Sequence, residues 1–83
     1  MKVLVVDPDP LFSRLLKSKL EKWGHRVTVA HDGAAAYELI AKEPFRMVIM
    51  DTELPGMHGL ELCQRIRNLL RPRYTYIIFY ADF

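Results

Sequence analysis

The chain has only one cysteine, Cys63. No disulfide can form within it, and a lone thiol fits a reducing compartment. Charge of one sign is not in excess either. The 12 Lys and Arg residues against 10 Asp and Glu leave a formal balance of +2, too mild to point to a nucleic acid or a membrane surface. No apolar run approaches the ~18 residues that would span a bilayer. The opening MKVLVVDPDP sets one Lys and four apolar residues before the first acid, well short of a signal-peptide core. Repeats, low-complexity tracts and linker-like stretches are missing as well. These absences lead us to expect a soluble, cytoplasmic protein with no nucleic-acid or membrane partner.

What the 83 residues do contain is about half apolar, 51%, enough for one packed domain and no more. Short apolar runs alternate with helical patterns from end to end, which is how a parallel α/β sheet reads in sequence. Val3 to Val6 is a continuous run suited to a strand buried on both faces. Asp9 can cap a helix that Pro10 opens, with Phe12, Leu15, Leu16, Leu20 and Trp23 as one stripe ending at Gly24. Trp23 is most simply a core residue. Val27 and Val29 alternate with polar neighbours, as in a strand near a sheet edge.

Asp32 can cap a second helix with Ala36, Leu39 and Ile40 inward, stopped by Pro44. Met47 to Met50 forms the next buried strand and terminates at Asp51. Pro55-Gly56 reads as a turn. A third helix starts near Gly59, with Leu62, Ile66, Leu69 and Leu70 on one side, and breaks at Arg71-Pro72. Tyr76 to Ala81 supplies a last apolar strand.

The order β-α-β-α-β-α-β, with right-handed crossovers, gives one open parallel sheet with helices on both faces. Ligands of such sheets bind beyond the carboxyl ends of the strands, where strand order switches. Asp7 and Asp51 stand at two such ends. If their strands are neighbours, both carboxylates face one crevice.

Several stretches make the sequence similar to the receiver domain of response regulators. They are VLVVDPDP at the first strand, HDGAAAYELIAKEPFRMVIMD up to the acceptor strand, MVIMDTELPGMHG around it, and YIIFYAD at the last strand. The resemblance covers essentially the whole chain. It implies a flavodoxin-like α/β fold, incomplete here as a single receiver-like domain over residues 1–83. Four strands and three helices would be present, with the last strand and the last two helices missing.

The resemblance further implies a module of a two-component phosphorelay and not an enzyme, with Asp51 accepting a phosphoryl group from a histidine kinase or phosphotransfer protein. Mg²⁺ would be held by Asp7, Asp51 and the backbone carbonyl of Glu53. A carboxylate nucleophile at a strand end, with a divalent ion offsetting phosphoryl charge, is what this chemistry requires.

Three departures from the family pattern weaken that site. Pro8 replaces the second residue of an acidic pair and offers no side-chain oxygen, while Asp9, one position on, is placed to cap a helix. Ala81 falls where the family carries a Thr or Ser hydroxyl; a one-residue slip would put Tyr80 there. The family's phosphate-pairing Lys lies beyond Phe83. Hydrogen bonds to charged groups are worth roughly 1.5–3 kcal/mol each, so the alternative is a degenerate, non-phosphorylated receiver acting as an interaction module. With its fourth strand an apolar edge and a neighbouring helix missing, the chain is expected to form a homodimer through that strand or the uncovered sheet face.

Other features read more simply. Arg65, Arg67, Arg71 and Arg73 suit a solvated helix C-terminus. His25, His31 and His58 are too scattered for a metal cluster; the first two read as surface residues, and His58 as an exposed residue of the acceptor loop. Cys63 reads as a half-buried structural thiol, and Glu53 can tune access to the pocket. A hydrolase built on Asp7 and Asp51 would lack an evident base and a substrate cleft.

Overall fold

The computed structural model describes residues 1–69 and 75–81. In chain order the elements are β1 (Lys2–Val6), α1 (Pro10–Lys22), β2 (Arg26–Ala30), α2 (Gly33–Lys42), β3 (Met47–Asp51), β4 (Glu53–Leu54), β5 (Met57–His58), α3 (Gly59–Arg67) and β6 (Tyr76–Tyr80). Four strands form a parallel sheet in the order β2-β1-β3-β6. The strand expected as the fourth is therefore β6, and the flavodoxin-like α/β arrangement is as anticipated.

Because successive side chains alternate between faces, β1, β2 and β3 feed two cores. Leu4, Val6, Val48 and Met50 meet Ala36 and Ile40 of α2 and Leu62 and Ile66 of α3 on one face. Val3, Val5 and Val27 meet Leu20 of α1 on the other, with Leu16 and Ile49 packed alongside. Burying an aliphatic side chain of this kind contributes about 1.5–3 kcal/mol. These layers are what hold the strand ends in place.

Helix starts follow the local chemistry. Asp9 accepts the backbone N–H groups of Leu11 and Phe12 at 2.9 and 3.4 Å, with Pro10 at the first position. Asp32 accepts the Ala35 N–H at 2.7 Å. Both caps fall where the sequence places them.

The first-helix stripe needs correcting. Only Ser13 and Leu20 are buried in α1, whereas Phe12, Leu15 and Trp23 are 42, 58 and 69% exposed. Residues 13, 16 and 20 face β1 and β2, and Phe12 and Leu15 lie on the flank. Trp23 follows the last helical residue with φ −90° and ψ 12°, so it leaves the helical register and is not core. The third helix ends earlier than expected, at Arg67 with Asn68 as its cap. Leu70, Arg71, Pro72 and Arg73 lie outside the described residues.

The Pro55-Gly56 turn is present, closing a two-residue antiparallel hairpin, Glu53↔His58 and Leu54↔Met57, with Gly56 at φ +72°. Strands this short carry no alternation that a sequence could reveal. Beyond the hairpin Gly59 is pinned: a Cβ there would meet the Asp51 carbonyl oxygen at 3.0 Å, Thr52 Cα at 3.1 Å and Phe79 Cε1 at 3.2 Å. Two of these neighbours are backbone and cannot swing away. Gly59→Ala should therefore destabilise the fold by about 1–3 kcal/mol, seen as a lower urea midpoint with unchanged slope; an unchanged midpoint would contradict this packing.

Candidate functional site

The parallel register decides which side chains meet. Val6 lies opposite Met50 on the neighbouring strand, so Asp7 and Asp51 leave β1 and β3 at the same level. Asp51 in turn is paired with Tyr80 on β6. Asp7, Pro8, Asp9, Phe12, Asp51, Tyr80 and Ala81 line one crevice of about 430 Å³ at these strand ends. The two acids picked out by the sequence thus face a common space.

Asp7 is only 3% exposed, so its carboxylate depends on its hydrogen bonds. Oδ1 accepts the Asp9 N–H at 2.6 Å, and Oδ2 accepts the Tyr80 hydroxyl. Its backbone is fixed as well: the Asp7 N–H donates to the Ala30 carbonyl at 3.0 Å, and His31 Nδ1 donates to the Asp7 carbonyl at 2.9 Å. Asp51 is half-buried, and its Oδ1 accepts the Glu53 N–H at 3.0 Å. It is therefore the N–H of Glu53 that meets Asp51, and Glu53 is not among the residues lining the crevice.

The Glu53 carboxylate turns instead to His58, 3.6 Å from Nε2. His58 also caps α3, its Nδ1 accepting the Leu60 N–H at 3.1 Å. A loop residue read as merely exposed is thus the start of a helix. Asp9 caps α1 as expected and still reaches the crevice wall. Ala81 lines the crevice without a hydroxyl.

Two further residues were not singled out for the parts they play. The Tyr80 phenol holds Asp7, and its ring packs against Phe12 with centroids 5.4 Å apart at 51°. His31 steadies the Asp7 main chain. For Tyr80 the signal was available in principle, since strict alternation along β6 puts it on the same face as Asp51 once the register is known.

The donor chemistry of the crevice fits a hard divalent cation: three carboxylates, all oxygen, and no nitrogen or sulfur ligand. Of these, Asp7 and Asp51 follow adjacent strands at the same level, and no group of three or more His, Cys, Asp or Glu is poised for a metal among the described residues. No helix among those residues is long and apolar enough to cross a membrane.

An open parallel sheet with paired carboxylates beyond adjacent strand ends defines an α/β module of the kind whose ligands bind at the topological switch point. The chain belongs to the response regulator receiver domain family, whose model matches residues 3–82, and it is therefore a two-component signalling module.

It is 39% identical to the sensor histidine kinase RcsC of Salmonella typhimurium over 69 residues, covering 83% of this chain and 7% of that protein. It is also 39% identical over 68 residues to the response regulator receiver protein CpdR of Brucella abortus, covering 82% of this chain and 57% of that one. The chain thus spans well under two thirds of these curated relatives. Among solved structures, the response regulator TrrA of Thermotoga maritima, in complex with Mg²⁺-BeF, superposes with a TM-score of 0.88. It is 32% identical, and the match covers 99% of this chain and 70% of that one.

Burial pushes the Tyr80 hydroxyl far above its ordinary value, helped by its hydrogen bond to Asp7 and by the charges of Asp7, Asp51 and Asp9. A raised folded value means that the hydroxyl's contribution to stability is whole below about pH 10, where the unfolded phenol keeps its proton. Above that pH the contribution declines, because the unfolded chain ionises first. Of the four tyrosines, at least one should therefore fail to ionise below the alkaline unfolding transition, followed by ultraviolet absorbance. Four ordinary titrations in the folded state would contradict the Tyr80–Asp7 geometry.

Proposed function

We propose that residues 1–83 act as one receiver-like unit in which Asp51 accepts a phosphoryl group from a histidine kinase or phosphotransfer protein in the cytoplasm. The observation that carries this reading is the single crevice shared by the Asp7 and Asp51 carboxylates at adjacent strand ends. With Oδ1 of Asp51 occupied by the Glu53 N–H, Oδ2 is the nucleophile. It attacks the phosphorus of a phosphohistidine; the O–P bond forms, the N–P bond breaks, and the imidazole takes up a proton from solvent.

Asp7 and Asp51 would hold Mg²⁺, which when bound offsets charge on the phosphoryl oxygens; the Glu53 carbonyl, expected as a third ligand, belongs to a residue that does not line the crevice. The Glu53 N–H orients Asp51, and the Asp9 N–H and Tyr80 hydroxyl fix Asp7. Ala81 gives the phosphoryl group no hydroxyl donor.

Incubation with a small-molecule phosphodonor and Mg²⁺ should add one phosphoryl mass to the intact chain, and Asp51→Asn should abolish the adduct. No adduct under conditions that label another receiver domain would end this reading.

A second reading draws on β6, the last strand of the described sheet, where Tyr76 and Ile78 are 59 and 46% exposed. Exposed apolar side chains of this kind mark an interaction surface, one that a non-phosphorylated receiver dimerising through β6 or the adjoining sheet face would cover. Sedimentation at tens of micromolar should then show a dimer that Ile78→Lys dissociates, whereas a sharp monomer peak for the unaltered chain removes this reading.

A further inference from the structure

We propose that the Tyr80 hydroxyl holds the Asp7 oxygen that a divalent cation would need, so that Tyr80 sets the cation affinity of the crevice. The inference rests on the reading of that crevice as a cation-assisted phosphoacceptor site.

Both Asp7 oxygens have donors: the Asp9 N–H on Oδ1 and the Tyr80 hydroxyl on Oδ2. At 3% exposure the carboxylate has little access to water, so these two bonds are its solvation. A cation entering from the crevice needs an Asp7 lone pair, and the Asp9 donor belongs to the loop backbone that leads into α1. The Tyr80 hydroxyl is the donor that can yield, and it faces the crevice. Pro8, next in the chain, supplies no side-chain oxygen in compensation.

The phenol is also presented by a firm support. Tyr80 is in register with Asp51, its carbonyl accepts the Thr52 N–H at 3.1 Å, and its ring rests on Phe12. The hydroxyl is therefore built into the site and does not arrive on a loose loop. Cation binding has to break the Tyr80–Asp7 bond, and the strength of that bond is subtracted from the affinity. Without the hydroxyl, Oδ2 is a buried charged oxygen lacking a donor, a condition that a cation relieves.

The test uses Mn²⁺ alone, titrated into the full chain and followed by electron paramagnetic resonance, with Mg²⁺ added in competition. Tyr80→Phe removes only the hydroxyl. Tyr80→Leu removes the phenol but keeps an apolar side chain on β6, so either variant decides the matter if the other does not fold. Both should bind Mn²⁺ about tenfold more tightly than the unaltered chain, and adding Asp7→Asn should erase the gain. Equal or weaker binding by the Tyr80 variants, undetectable binding throughout, or a gain that survives Asp7→Asn overturns the proposal. Affinity is read here without phosphoryl transfer. A missing Asp51 adduct would therefore count against the phosphoacceptor reading alone, and unchanged affinity against the Tyr80 inference alone.

Discussion

The in-register parallel pairing of β1 with β3 is the constraint on which the site depends. It brings two strands out of the sheet side by side, and each carries an aspartate at the same level. Two carboxylates so placed repel one another, more strongly where water is scarce. The surroundings answer with donors: a phenol and a backbone N–H for Asp7, and a second backbone N–H for Asp51. The apolar layers on both faces keep the strands from sliding apart to relieve the repulsion.

Around this pair, side chains do the work of shaping the loops. Asp9, Asp32 and His58 each start a helix by accepting N–H groups that the helix itself leaves unpaired. The chain therefore passes quickly from β1 into α1 and from β2 into α2, and after β3 it enters α3 by way of the β4-β5 hairpin. Gly59 belongs to the same arrangement, because its missing side chain lets α3 begin directly against the Asp51 carbonyl.

Most of the fold was legible because its signals are local. Buried runs such as Val3–Val6 and Met47–Met50, the caps at Asp9 and Asp32, and the Pro55-Gly56 turn each announce themselves within a few residues. The crevice was legible too, as a consequence of topology. What escaped needed distances across the chain. Tyr80 lies 73 residues from Asp7, and its role depends on a strand register that no local pattern encodes. Trp23 misled because hydrophobicity suggests burial, whereas the helix has ended by the time the chain reaches it. His58 was hidden because histidine is a less familiar cap than Asp or Ser, and the hairpin before it is too short to show a period.

The places of β1 and β3 have a consequence for how the crevice behaves in time. Within the described sheet each of them is bonded along both sides, and backbone held on both sides is among the last to open. The main chains of Asp7 and Asp51 continue from these two strands, so the acids stand on a floor that keeps its spacing while side chains around the crevice move.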